Sequence, residues 1–378
     1  MIARRWLLVV LILGCIAAAW AGHELPVYPS YYPHEIEIAT ATPEQATEQL
    51  RTGKMHAFVG NNLRFTDLPP VIASVQSLGS LLVAELNPQS PLAERRGEGC
   101  DVIGALLRPL AQGQGKFVVH PYPVTPYHGD YLYHAELAEA AKARFLASDG
   151  ARAPETLKVK AESLLAQGLV PPHWLANNQG WDVVLRETDV GALTAALTVM
   201  TNAWVGPRWT RSGWFHAYRL LADAIIDPAA RQEIESTRER LQHANYDNQV
   251  ARINLERDLV KALTADCRVQ VMGYTVRENY FNADFSAGIE NVGYDALEGF
   301  SSPMFLRTVK LKDFPWNGWL QLGLGAQPQA AWNPVAGFND DFGRLLWFAL
   351  SDPAVVPSPY DANWMLNRFS SVQAAPQR

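Results

Sequence analysis

At 378 residues the chain is long enough for two or three domains with sizeable cores. A composition that is 48% hydrophobic and 19% charged excludes a largely disordered chain. The formal charge of −6 becomes −8 (30 basic against 38 acidic groups) without residues 1–22, and no Lys/Arg stripe interrupts that balance. This argues against nucleic acid as a partner, because such binding runs on phosphate neutralisation.

The N-terminus carries an export pattern. Arg4 and Arg5 precede an apolar run from Trp6 to Ala21, and Ala19-Trp20-Ala21 fits the small-x-small cleavage rule. The expectation is a signal peptide over residues 1–21, a mature chain from Gly22 and a periplasmic or secreted protein. The alternative is an inner-membrane anchor, for which sixteen apolar residues are short. Export leaves Cys100 and Cys267 as an even pair in an oxidising compartment, so a disulfide between them is one reading and two buried thiols the other.

Glu24–Pro33 is Pro/Tyr-rich and reads as extended. His34–Ala39 alternates as a strand does, Thr42-Pro43 starts a helix to Arg51, and Lys54–Gly60 reads as a second strand. These form a β-α-β unit, expected to pair in parallel with a right-handed crossover. Together with its Leu50-x-x-Gly53-Lys54 connection, the unit resembles pieces of periplasmic solute-binding lobes over fewer than thirty residues.

Val71–Leu86 fits either a helix or a buried strand, and Asp101–Leu110 a short helix. Lys116–His120 reads as a strand, and Asp130 is placed to cap a helix over Tyr131–Ala147. Ser148–Pro154 is the best boundary. Helices are expected over Glu155–Gln167, Thr188–Trp204, Trp214–Ile226, from Pro228, and over Asp247–Thr264, with a strand at Asp182–Glu187. Arg268–Arg277 reads as a strand, Asn317-Gly318 as the type I′ turn of a hairpin with Trp316 opposite Trp319, and Asp341–Leu350 as a helix. The fold class is therefore mixed α/β (α+β). An α/β part covers residues 22–150, a mainly helical region 151–265, and a β-hairpin plus helix region 266–378.

Chemistry concentrates in His120–His134, which holds three of the nine histidines, four tyrosines and three prolines. His120 ends a strand, and in open α/β sheets that edge is where ligands usually bind. His120, His128 and His134 could meet around Zn, Cu or Fe with Asp130 nearby. Alternatively, Tyr122, Tyr127, Tyr131 and Tyr133 wall a ligand pocket in which the histidines are hydrogen-bonding groups. Packing of a crossover loop is the plain reading.

A second cluster, Trp204–Tyr218, offers Arg208 and Arg211 beside tryptophans for a carboxylate or phosphate, with His216 read as a satisfied core histidine. A third comprises Trp316–Trp319, Trp332–Pro334 and Asn339–Asp341, where turn and cap roles compete with carbohydrate binding. No zincin, nucleophile-elbow, P-loop or dinucleotide motif is present in the sequence.

The leading expectation is an exported binding or accessory protein for a small ligand in an aromatic/His-lined pocket. A metal-dependent enzyme built on His120, His128 and His134 is the second reading. A structural subunit with an envelope protein partner is the third.

Overall fold

Helix starts follow from short polar side chains placed before proline. Thr42-Pro43, Asp227-Pro228 and Ser302-Pro303 each put a capping oxygen ahead of a residue whose fixed φ suits the first turn. At Thr42 the box is complete: Oγ1 accepts from Gln45 N at 3.3 Å, and Gln45 Oε1 accepts from Thr42 N at 3.0 Å.

The computed structural model describes residues 33–60, 63–92, 98–112, 117–146, 157–176, 180–195, 207–312, 318–329, 340–351, 355–361, 363–367 and 370–371. In chain order the elements are β1 (Glu35–Thr40), α1 (Pro43–Arg51), β2 (Ala57–Val59), β3 (Ile72–Leu86), α2 (Glu98–Gln112), β4 (Phe117–Val119), α3 (Ala135–Leu146), β5 (Val159–Ala161), α4 (Leu164–Leu169), β6 (Val183–Asp189) and α5 (Val190–Ala195). There follow α6 (Gly213–Leu221), α7 (Pro228–Gln242), α8 (Gln249–Leu263), β7 (Val269–Asn282), β8 (Ile289–Asn291), α9 (Pro303–Thr308), β9 (Lys310–Leu311), β10 (Trp319–Leu324), α10 (Asp341–Leu350), β11 (Val355–Pro357) and β12 (Trp364–Leu366).

One large mixed sheet runs β1-β10-β2-β7-β3-β6-β5, with β4 beside β7, and takes strands from all three sequence segments. Its centre is the antiparallel β3–β7 pair, which runs from Ile72↔Asn282 to Glu85↔Val269 with register shifts between Leu78 and Leu81 and between Leu82 and Val83. On β3, Leu81 and Val83 enter one core with helices α6, α7 and α8, while Leu82, Ala84 and Leu86 enter another with α2. Burial on both faces explains the near-continuous apolar run that left Val71–Leu86 ambiguous in the sequence. A third core lies under α9 and α10.

Several expectations change. The strands β1 and β2 are parallel but not neighbours, because β10 inserts between them in parallel with both. The strands flanking Asn317-Gly318 do not form a hairpin: β9 pairs with β8, β10 joins the large sheet, and Gly318 O accepts from His34 N at 2.8 Å. Burial on both faces of the sheet outweighs the local turn signal of Asn-Gly. The C-terminal part does hold an antiparallel hairpin, made by β11 and β12.

Glu155–Gln167 is not one helix. Val159–Ala161 pairs in parallel with Val183–Leu185, and α4 starts only after Ser163 accepts from Ala166 N at 3.1 Å. Thr188 and Asp189 belong to β6, and α5 follows, with residues 196–206 outside the described residues. The N-terminal 32 residues, the 148–154 boundary, Asn317 with Trp316, Trp332–Pro334 and Asn339 also lie outside them. Among the described residues no helix is long and apolar enough to cross a membrane.

A disulfide joins Cys100 on α2 to Cys267 just before β7, with Cα atoms 5.0 Å apart across 167 residues of sequence. Closing so long a loop in the unfolded chain is worth about 5 kcal/mol by the loop-entropy argument. Reduction, or Cys100→Ser with Cys267→Ser, is expected to lower the urea midpoint by a matching amount. Equal midpoints for the oxidised and reduced protein would contradict this.

Candidate functional site

After β4 the chain cannot extend the sheet, because Pro121, Pro123 and Pro126 lack donors and fix φ. It folds back through tight turns, with Tyr122 N donating to His120 O at 2.7 Å and His128 N donating to Thr125 O at 2.9 Å. A 3-10 turn at Tyr131–Tyr133 then leads into α3. The Asp130 side chain does not cap this helix. Its two oxygens accept from Gly213 N, both at 3.0 Å, and one also accepts from Trp214 N at 3.4 Å, so it caps α6 from another part of the chain. A Cβ on Gly213 would stand 2.4 Å from the Val124 side chain, so only glycine allows this approach.

The three histidines do not converge on one point. His120 Nε2 donates to Val124 O at 2.9 Å, and its ring packs on Tyr131 and Tyr274. His128 lies in a directional chain. Thr125 N can only donate, so His128 Nδ1 accepts at 3.0 Å; Nε2–H then donates to His216 Nδ1 at 2.8 Å, and His216 Nε2–H to Thr210 O at 3.0 Å. Both rings are therefore neutral. Burial pushes His128 down to about 3 and His216 well below its ordinary value. The expectation of His216 as a satisfied core histidine holds.

His134 is fully buried, with Nδ1 2.9 Å from the Tyr122 hydroxyl and Nε2 without a hydrogen-bond partner. Tyr122 is buried, and burial raises its hydroxyl pKa, while Tyr127 and Tyr131 pack against the helical core half-buried. Arg211 is buried in an ion pair with Asp295, whose other oxygen accepts from Leu297 N at 2.7 Å. Arg208 is at the surface and donates to Asn363 Oδ1 at 2.7 Å.

What the fold does assemble is a cleft of about 440 Å³ between the 129–133 segment, residues 207–214, helices α7 and α8, and Asp361 and Asn363. It joins parts of the first two sequence clusters. Asp130, Arg208 and Trp209 line it, together with Tyr246, Arg252 and Glu256, which the sequence reading did not single out. A Cβ on Gly129 would sit 2.4 Å from Asp361 Cα, so glycine lets the C-terminal segment close this side.

Glu256 lies on the buried stripe of α8 with Leu259, Val260 and Leu263. A carboxylate on an apolar helical stripe is the signal that would have found it. Arg252 donates to its Oε1 at 2.8 Å, and Oε2 has no partner. Burial, then the nearby Asp130 charge, raises Glu256 to about 7. The ligating atoms of Asp130, His134 and Glu256 lie within 4.8 Å of one another. A larger groove of about 580 Å³ lies along β3, β6 and β7, but there Ser80 bonds Glu187 and Thr275, and Arg277 pairs with Asp189.

No family model matches the chain, and no curated protein matches it. Among solved structures it is similar to several, one of them described as a periplasmic binding protein. The ABC transporter-associated periplasmic binding protein DppA from Helicobacter pylori, in complex with peptide STSA, matches at 14% identity and a TM-score of 0.40, over 72% of this chain and 55% of that one. HbpA2 from Haemophilus parasuis matches at 13% and 0.39, over 70% and 55%. NikA from Staphylococcus aureus, in complex with Ni(L-His)2, matches at 14% and 0.35, over 71% and 60%. The chain thus spans a little over half the length of these structures.

The neutral imidazole pair makes the fold acid-sensitive. Each ring titrates near 6.5 when unfolded and far lower when folded. The unfolded chain therefore binds more protons below pH 6.5, and stability falls as pH drops below 6.5, approaching a limiting slope of about 1.4 kcal/mol per unit per ring. Urea unfolding at pH 7, 6 and 5 should show this slope, and His128→Gln/His216→Gln should flatten it. A parental midpoint independent of pH over that range would refute the assignment.

Proposed function

We propose that the chain is an exported solute-binding protein and that its ligand occupies the cleft between the 129–133 segment and helices α7 and α8. The carrying observation is the lining. Arg208 offers a planar guanidinium at the rim, Trp209 and Tyr246 offer rings, and buried Asp130 and Glu256 lie on the wall. Clefts of several hundred Å³ with aromatic walls and a few placed polar groups suit small ligands. The guanidinium favours a solute with a carboxylate or similar anion, which arginine grips bidentately, and the rings favour a flat or apolar body.

The leader-like residues 1–21 support a periplasmic or secreted location. The peptide and nickel–histidine ligands of the structurally similar proteins belong to those proteins. For this chain the reading rests on the cleft itself. The ligand-contact role expected for His120, Tyr122, His128 and His134 becomes a supporting one in this reading. Their side chains pack behind the cleft and hold the 120–134 segment in shape.

Thermal-shift screening of amino acids, short peptides and aromatic carboxylates is the direct test, since a ligand that binds only the folded state raises the melting temperature. A saturable shift is expected, with affinity lowered at least tenfold by Arg208→Ala and by Trp209→Ala. Saturable binding unchanged in both variants, or no shift with any solute, would reject the cleft as the site.

A further inference from the structure

We propose that Asp130, His134 and Glu256 form a binding site for one divalent first-row transition cation in the wall of the cleft. The site shares Asp130 and Glu256 with the cleft wall but needs no solute to bind its ion. Three ligating atoms, one imidazole nitrogen and two carboxylate oxygens, lie within 4.8 Å of one another, contributed by the turn after Gly129, the residue before α3, and α8. All three residues are deeply buried, at 7%, 0% and 2% exposure.

The second observation is the pattern of used and unused atoms. His134 Nδ1 is taken by the Tyr122 hydroxyl and Glu256 Oε1 by Arg252, while His134 Nε2 and Glu256 Oε2 have no partner. Buried polar atoms are nearly always satisfied, so two unpartnered polar atoms in one cluster argue for a common occupant. With Nδ1–H donated to the Tyr122 oxygen, Nε2 carries a lone pair toward the cluster, the arrangement in which an outer hydrogen bond fixes a metal-binding imidazole. Asp130 is held by the Gly213 and Trp214 N–H groups, so its carboxylate is already oriented.

One imidazole nitrogen with two carboxylates suits Zn²⁺, Mn²⁺ or Co²⁺ better than Ca²⁺ or Mg²⁺, which take oxygen sets. Asp130 and Glu256 line the cleft, so a coordination position left by three protein ligands would open toward it. This set differs from the histidine trio read from the sequence. It keeps His134, and His120 and His128 are engaged elsewhere.

The test is titration of chelator-treated full-length protein with Zn²⁺, Mn²⁺ and Co²⁺ by calorimetry, with Co²⁺ also followed by its visible absorption. One equivalent is expected to bind, with a nitrogen-containing Co²⁺ spectrum. His134→Ala and Glu256→Gln should each weaken binding at least tenfold. Tyr122→Phe, which keeps the ring and removes only the outer hydrogen bond, should weaken it as well, while His173→Ala, at an exposed histidine in the turn Pro172–Trp174 that does not line the cleft, should not. Should His134→Ala fail to fold, the parental Co²⁺ spectrum and Tyr122→Phe still decide. No stoichiometric uptake of any of the three ions, or uptake unchanged in Glu256→Gln and Tyr122→Phe, overturns the proposal and leaves the solute reading standing.

Discussion

The carboxylate of Asp130 is the constraint on which the site depends. It takes the first free N–H groups of α6, where the helix dipole is positive and the donors have no partner inside the helix. That contact joins residues more than eighty positions apart and fixes the 120–134 segment against residues 207–214. The cleft lies along this seam. Loss of the charge would leave buried donors at Gly213 and Trp214 unsatisfied and would free both walls together.

The histidines show how a residue type that suggests chemistry can serve shape. His128 and His216 are two neutral rings in a one-way relay from a backbone donor to a backbone acceptor. A proton added to either ring would put two donors face to face in a dry interior. Their neutrality is therefore fixed by hydrogen bonding as well as by burial. Among the described residues, His134 Nε2 is the one buried histidine nitrogen without a hydrogen-bond partner.

Local signals in the sequence were legible where local physics decides the outcome. Thr42-Pro43 and Asp227-Pro228 start helices as their side chains dictate, and Val269–Asn282 forms a strand where alternation suggested one. The mixed α/β class was within reach for the same reason, while the pairing of Cys100 with Cys267, one of two readings, came from an even cysteine count in an exported chain. Asp130 looked like a cap and is one, but for a helix whose proximity no local pattern encodes. Asn317-Gly318 looked like a hairpin turn, yet the strand after it pairs with β1 and β2. Val159–Ala161 is too short to announce itself, and its strand character comes from lying beside β6. Of the site, Arg208, Asp130 and His134 were visible as residue types. Glu256 was passed over, because its i,i+4 pair with Arg252 reads as an ordinary solvated helix face, although the apolar stripe it shares with Leu259, Val260 and Leu263 was there to read.

The insertion of β10 between β1 and β2 has a consequence for how the chain reaches its fold. The first and second strands are made within the opening sixty residues, but each keeps an unpaired edge until residues 319–324 arrive. The central pair likewise joins segments about two hundred residues apart. Such pairings carry high loop-closure entropy and make folding slow. A nascent or truncated chain ending before Trp319 would present two facing strand edges with nothing between them, a template for pairing with other chains. Completion of the sheet is thus a late, nearly full-length event, and residues 319–324 act as its closing wedge.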